Sequence, residues 1–159
     1  MSKIIIIRGN SGSGKTHLAN ALNVHLDQQT LMLHQDSLKR EFLSTHETPG
    51  HLTPSLINAN IDWACAHNLD VILEGILDYK HYQAVFDHIQ HLPVIAVYLN
   101  QTFEQTLAKN ALKEVPFSSK QLAEWWLPTG GASLPIPETF FPTQWHTLEQ
   151  INWICSKMN

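Results

Sequence analysis

Residues 4 to 16 read Ile4-Ile5-Ile6-Ile7-Arg8-Gly9-Asn10-Ser11-Gly12-Ser13-Gly14-Lys15-Thr16, four isoleucines running into the pattern G-x-x-x-x-G-K-[ST]. A row of β-branched residues suits a strand buried on both faces, as in a parallel sheet. His17-Leu18-Ala19-Asn20-Ala21-Leu22 follows with the composition of a helix, so the loop has a strand before it and a helix after it. In that setting the backbone N–H groups of Gly12, Ser13, Gly14 and Lys15 converge on a phosphate chain. The helix dipole adds positive potential where the anion lies. Gly12 and Gly14 leave room for close approach, and Gly9, Asn10 and Ser11 complete the loop. Lys15 is expected to reach the β/γ-phosphates as a mobile point charge, and the Thr16 hydroxyl to complete the coordination of magnesium.

The chain has 159 residues, which predicts one domain with a core large enough to need no disulfide or metal. Hydrophobic residues make up 43% and charged ones 15%, the balance of a globular protein. No apolar stretch reaches membrane-spanning length and residues 1–3 lead straight into a strand, so a cytoplasmic location is expected, with no membrane partner. A formal charge of −4 argues against a broad nucleic-acid surface. Cys65 and Cys155 stand alone and fit reduced, packed thiols. The ten histidines are scattered without a metal-binding spacing and read as surface or satisfied core residues.

Apolar runs of strand length lie at residues 3–8, 30–34, 70–74 and 94–99, with a weaker one at 138–141. Helical patterns fill the intervals at 15–26, 54–67, 80–89, 102–113 and 147–158, and 118–127 adds another. Alternation of this kind makes βαβ units, hence an α/β fold of three layers around a parallel sheet. Thr53 before Pro54 reads as a helix cap, and Thr102 with Gln105 as a capping box. Residues 45–52 and 127–137, the latter with Gly130-Gly131, read as loops or mobile covers.

Ligands of open α/β sheets bind beyond the carboxyl ends of the strands. Asp36 lies just past the second strand, where a carboxylate facing the phosphate loop can accept the proton of an attacking hydroxyl. The alternative is an N-cap for a helix over 37–43. Lys39 and Arg40 follow within one turn, so one can bind a substrate phosphate or the migrating γ-phosphate while the other faces solvent. The third strand closes on Glu74, an acid placed to hold magnesium or position the substrate. Gly75 after it fits close backbone approach.

Together, residues 9–16, Asp36-x-x-Lys39-Arg40 and Ile72-Leu73-Glu74-Gly75-Ile76-Leu77 resemble the small P-loop kinases of the adenylate-kinase-like group. Within it the chain looks most like uncharacterised bacterial AAA-type ATPase/kinase-like proteins, related to zeta toxins, chloramphenicol phosphotransferase and polynucleotide kinase. The resemblance implies a five-stranded sheet in order 2-3-1-4-5, ATP with Mg2+, and γ-phosphate transfer to a hydroxyl of a small-molecule acceptor. It implies Asp36 as base, Lys39 on the acceptor, and Pro142, Thr143 and Gln144 beside adenine. Lys15, Asp36 and Arg40 form the expected catalytic set. Asp36, Lys39, Arg40 and Glu74 form the expected acceptor site, and Thr16 and Glu74 the metal site. Residues 114–137 form the expected lid.

Such kinases supply arginines from the lid, and here the sequence departs. Its only arginines are Arg8 and Arg40, and the lid region holds Lys109, Lys113 and Lys120 instead. Lysine neutralises charge without the bidentate fork. Three outcomes follow: slow turnover, Arg40 in the missing role, or a nucleotide-binding regulatory protein with little transfer. Trp125 and Trp126 are adjacent and cannot share one helix face, so one is expected in the core and the other on the surface, the alternative being that the second covers a ligand or partner. An aromatic or apolar acceptor would suit a ring in the acceptor site.

Overall fold

Every residue of β1 (Ile4–Gly9) is buried, the outcome expected for a central parallel strand. The computed structural model describes residues 1–128 and 133–159, so Gly130-Gly131 of the expected loop lie outside the described residues. β1 pairs in parallel with β3 (Asp70–Gly75) on one side and β4 (Val94–Leu99) on the other. β2 (Thr30–His34) lies outside β3, and β5 (Glu138–Phe141) outside β4. The five-stranded order is β2-β3-β1-β4-β5, as the resemblance implied.

Alternate isoleucines serve opposite faces because successive strand side chains point to opposite sides. Ile4 and Ile6 join Ile57 and Ile61 of α3 (Thr53–Ala66) and Phe86 of α4 (Tyr79–Ile89). Ile5 and Ile7 join Leu18 and Leu22 of α1 (Lys15–Leu26) and Ile154 of α7 (Thr147–Met158). Helices on both faces make the three layers. All four isoleucines are fully buried, each contributing about 1.5–3 kcal/mol relative to exposure.

Arg8 is also fully buried, and its Nη1 donates to both carboxylate oxygens of Glu138 at 2.9 Å. Its guanidinium lies 5.6 Å from the ring centroids of Phe86 and Tyr98. The pair ties the central strand to edge strand β5. Burial pushes the Glu138 carboxyl up, and Arg8 opposes that shift.

Three local expectations change. Thr53 is the first residue of α3 and makes no side-chain cap, because Leu52 occupies the cap position. The alternative reading of Asp36 as the cap of a helix over 37–43 does not hold: α2 (Gln35–Ser37) starts two residues earlier, with His34 at the cap position, and runs into a π-helical turn over Leu38–Phe42. Residues 45–52 are the expected loop rather than a free cover, since Glu47 is hydrogen-bonded to Gln35, Lys39 and Tyr82. The Thr102 and Gln105 capping box does form, at the start of α5 (Phe103–Ala111). Residues 118–127 contain α6 (Ser119–Trp125), capped by Ser118. Among the described residues no helix is long and apolar enough to cross a membrane.

Candidate active site

The phosphate loop leaves β1 and enters α1 with Gly12 at φ +77° and Gly14 at φ +96°. Both lie in the left-handed region where a side chain is strained. A Cβ on Gly9 would collide with Ser13 Oγ and come within 3.1 Å of the Leu99 carbonyl oxygen. Lys15 donates from Nζ to the Asn10 carbonyl at 2.9 Å. The Thr16 hydroxyl donates to Glu74 Oε1 at 3.1 Å.

Parallel register sets the next contact. His34 and Glu74 are cross-strand partners in β2 and β3, and His34 Nδ1 lies 2.8 Å from the same Glu74 Oε1. Thus Thr16, Glu74 and His34 meet although they come from three elements. His34 is more than the surface or core residue expected of the scattered histidines. Its signal was its place at the end of the second strand, level with the closing residue of the third.

Asp36 lies across the cleft. Arg40 Nε donates to Asp36 Oδ1 at 2.7 Å, and Lys39 Nζ lies 3.7 Å from that oxygen. Asp36 Oδ2 has no hydrogen-bond partner among the described residues. The two basic residues differ in exposure: Arg40 is 53% exposed, while Lys39 is 14% exposed and donates to Glu47 Oε1 at 3.2 Å. Behind them Gln35 donates to Glu47 at 2.9 Å and to the Tyr82 hydroxyl at 2.6 Å, and that hydroxyl donates to Glu47 at 3.0 Å. Burial, helped by Glu47, pushes the Tyr82 phenol well above its ordinary range. Gly75 makes the packing possible, since a Cβ there would sit 2.6 Å from Gln35 Cβ. Sequence reading missed Gln35, Glu47 and Tyr82, and nothing local marks them.

Two clefts flank the loop. One of about 430 Å³ is lined by Lys15, Thr16, Asp36, Glu74 and Trp125 among others, with Lys39, Arg40 and Lys113 also on its wall. The other, about 460 Å³, is lined by Ser13, Gly14, Leu99, Pro142, Thr143 and Trp145. Gln144 is not among its lining residues, whereas Trp145 and His146 are. Of Lys109, Lys113 and Lys120, Lys113 lies on the Asp36 side and Lys109 on the other, and Lys120 lines neither cleft. Neither adjacent tryptophan enters the core. Trp125 packs edge-on against Phe117 and faces the first cleft, and Trp126 packs edge-on against Phe103 of α5. Arg8, tied to Glu138, is a structural residue, which leaves Arg40 as the arginine of the site.

A sugar kinase from Janibacter sp. HTCC2649 matches 99% of this chain and 95% of its own, with TM-score 0.74 and 14% identity. A gluconokinase from Sinorhizobium meliloti 1021 matches 98% of this chain and 91% of its own, with TM-score 0.69 and 13% identity. The fold is that of the small P-loop kinases. The same kinase fold is found in shikimate kinase from Acinetobacter baumannii in complex with shikimate, with TM-score 0.60 at 15% identity over 99% of this chain and 93% of that one. At these identities the likeness is one of fold. No protein-family model and no curated protein matches the chain.

Within this kinase fold the electrostatics of Lys15 make a measurable prediction. Burial lowers its ammonium to about 8, opposed by Glu74 and reinforced by Lys113. An anion beside Lys15 favours the charged form, so phosphate binding raises that pKa. Below about pH 8 the ammonium is already present and no proton is taken up. Above it, nucleotide affinity falls by up to about tenfold per pH unit, and binding takes up a proton. Calorimetric titration of ADP near pH 9, in two buffers of different ionisation heat, reads that proton directly. Equal heats in the two buffers would show that Lys15 does not titrate with nucleotide.

Proposed function

We propose that this protein is an ATP-dependent phosphotransferase that moves the γ-phosphate to a hydroxyl of a small molecule. The observation that carries the reading is Asp36, whose Oδ2 has no hydrogen-bond partner among the described residues, in the same cleft as Lys15, Thr16 and Glu74. ATP would lie across the loop, with its base toward the cleft at Pro142 and Trp145 and its phosphates on the N–H groups of Gly12 to Lys15. An acceptor hydroxyl beside Asp36 gives its proton to Oδ2 as its oxygen bonds to phosphorus. The bond to the β,γ-bridging oxygen breaks, and ADP leaves.

Thr16 and Glu74 present a hydroxyl and a carboxylate oxygen, donors that suit a hard cation keeping most of its ligands from water and phosphate. They would hold magnesium, which supplies charge neutralisation on the phosphates when bound. His34 would orient Glu74. Arg40 and Lys15 supply positive charge, Lys39 completes the acceptor wall, and Trp125 offers a flat apolar face to the acceptor. Residues 114–137 would cover the site. A cytoplasmic location goes with a need for ATP. The small-molecule kinases that share the fold support the reading.

One observation favours a second reading, a regulatory nucleotide-binding protein with little transfer. Arg40 is already paired with Asp36 and is half exposed. A screen with γ-labelled ATP, magnesium and a panel of sugars, nucleosides and hydroxyl-bearing antibiotics separates the two. Label is expected in one acceptor class. Bound nucleotide with no labelled product from any acceptor would favour the regulatory reading.

A further inference from the structure

Asn10 is the second residue of the phosphate loop, yet its side chain turns away from the cradle. It is buried, and its amide is used on both sides. Nδ2 donates to the Leu127 carbonyl at 3.0 Å, and the Leu127 N–H donates to Oδ1 at 2.8 Å. Nδ2 also reaches the Tyr98 hydroxyl at 3.2 Å. A carboxamide is the side chain that can meet both polar groups of one peptide residue in this way, because it carries a donor and an acceptor side by side. Leu127 lies two residues beyond Trp125, the last residue of α6, and both line the Asp36 cleft.

The main chain of Asn10 faces the other way. Its carbonyl accepts from Lys15 Nζ at 2.9 Å and from the Ser13 N–H at 3.1 Å. Phosphate in the loop draws the Lys15 ammonium off that carbonyl, because an anion is the stronger acceptor for a charged donor. One residue therefore touches the cation that responds to nucleotide and also holds, at Leu127, the wall of the cleft that this cation lines.

We infer that Asn10 is a positioning residue that couples phosphate-loop occupancy to the acceptor wall carrying Trp125 and Leu127. The inference rests on the kinase reading. Its energetic content is a difference in wall position between the empty and the phosphate-bound loop, transmitted through Asn10.

The test uses the full chain labelled with 5-fluorotryptophan, whose five tryptophans give separate fluorine resonances assigned by single Trp→Phe variants. ADP with magnesium is the probe, since it fills the loop without placing a γ-phosphate near Trp125. Calorimetry establishes binding independently. In the unaltered protein, ADP is expected to shift Trp145, which lines the other cleft, and also Trp125. In Asn10→Ala at saturating ADP, the Trp145 shift is expected to remain and the Trp125 shift to be lost. Tyr98→Phe, which removes one contact but leaves the Leu127 pair, is expected to keep both shifts. Should Asn10→Ala not fold, Asn10→Asp replaces Nδ2 by an oxygen facing the Leu127 carbonyl and is expected to lose the Trp125 shift too. An undiminished Trp125 shift in the Asn10 variants overturns the coupling. So does a Trp125 that stays still in the unaltered protein while ADP binds. Absence of ADP binding in the unaltered protein overturns the nucleotide reading itself, and the coupling with it.

Discussion

Replacing Asp36 by Asn is expected to lower phosphate transfer by about 10²–10⁴-fold, the range that a positioned general base contributes. Asn keeps the shape, and its carbonyl oxygen still accepts from Arg40, so the 2.7 Å contact at Oδ1 can persist. What is lost is the basicity of Oδ2, the atom without a partner among the described residues. The ATP KM is expected to change little, because Asp36 lies across the cleft from the loop. The loss should therefore fall on kcat, measured with whichever acceptor the label screen identifies. Equal turnover in the Asn variant would remove Asp36 from the chemistry and leave Arg40 and Lys39 with a binding role only. A large rise in the ATP KM with kcat preserved would instead place Asp36 on the nucleotide.

The second large effect is on stability. Arg8→Ala is expected to cost about 3–5 kcal/mol, because it leaves the Glu138 carboxylate in the interior without its cation. For a domain of this size each kcal/mol is worth about 2–4 °C, so Tm should fall by about 6–20 °C. The guanidinium also loses its place between the Phe86 and Tyr98 rings, which adds to the deficit. The paired change Arg8→Met with Glu138→Leu should recover most of the loss, since it removes both charges and keeps apolar volume. If single and paired variants melt at the same temperature, the damage comes from packing and the ion pair contributes nothing measurable. Calorimetric melting of the unaltered protein and the two variants decides between these outcomes.

Much of the candidate site was legible because it is local. Residues 9–16 carry backbone requirements that glycine alone meets, and Gly12 and Gly14 sit at the positive φ values that explain them. Asp36 and Glu74 stood out as carboxylates at the ends of apolar runs, which in a parallel sheet means the ligand edge. Thr53 and the 37–43 helix were misjudged by a residue or two. A cap preference of about 1 kcal/mol yields readily to the burial of Thr53 or to the π-helical turn after Ser37. The four isoleucines announced a buried strand without saying which two face α3 and α4, since a continuous apolar run carries no alternation.

The sequence by itself determined the strand, phosphate loop and helix, and the carboxylates at the sheet edge, because those depend on backbone conformation and on residues a few positions apart. Tertiary structure alone decided which groups share an atom. His34 reaches Glu74 through the β2 and β3 register, Glu47 closes on Tyr82 from 35 residues away, and Arg8 finds Glu138 at a separation of 130. Asn10 reaches Leu127 across 117 residues. Such contacts depend on how whole elements pack, and a hydrogen bond made or missed within 1 Å settles whether a polar side chain serves the site or the scaffold.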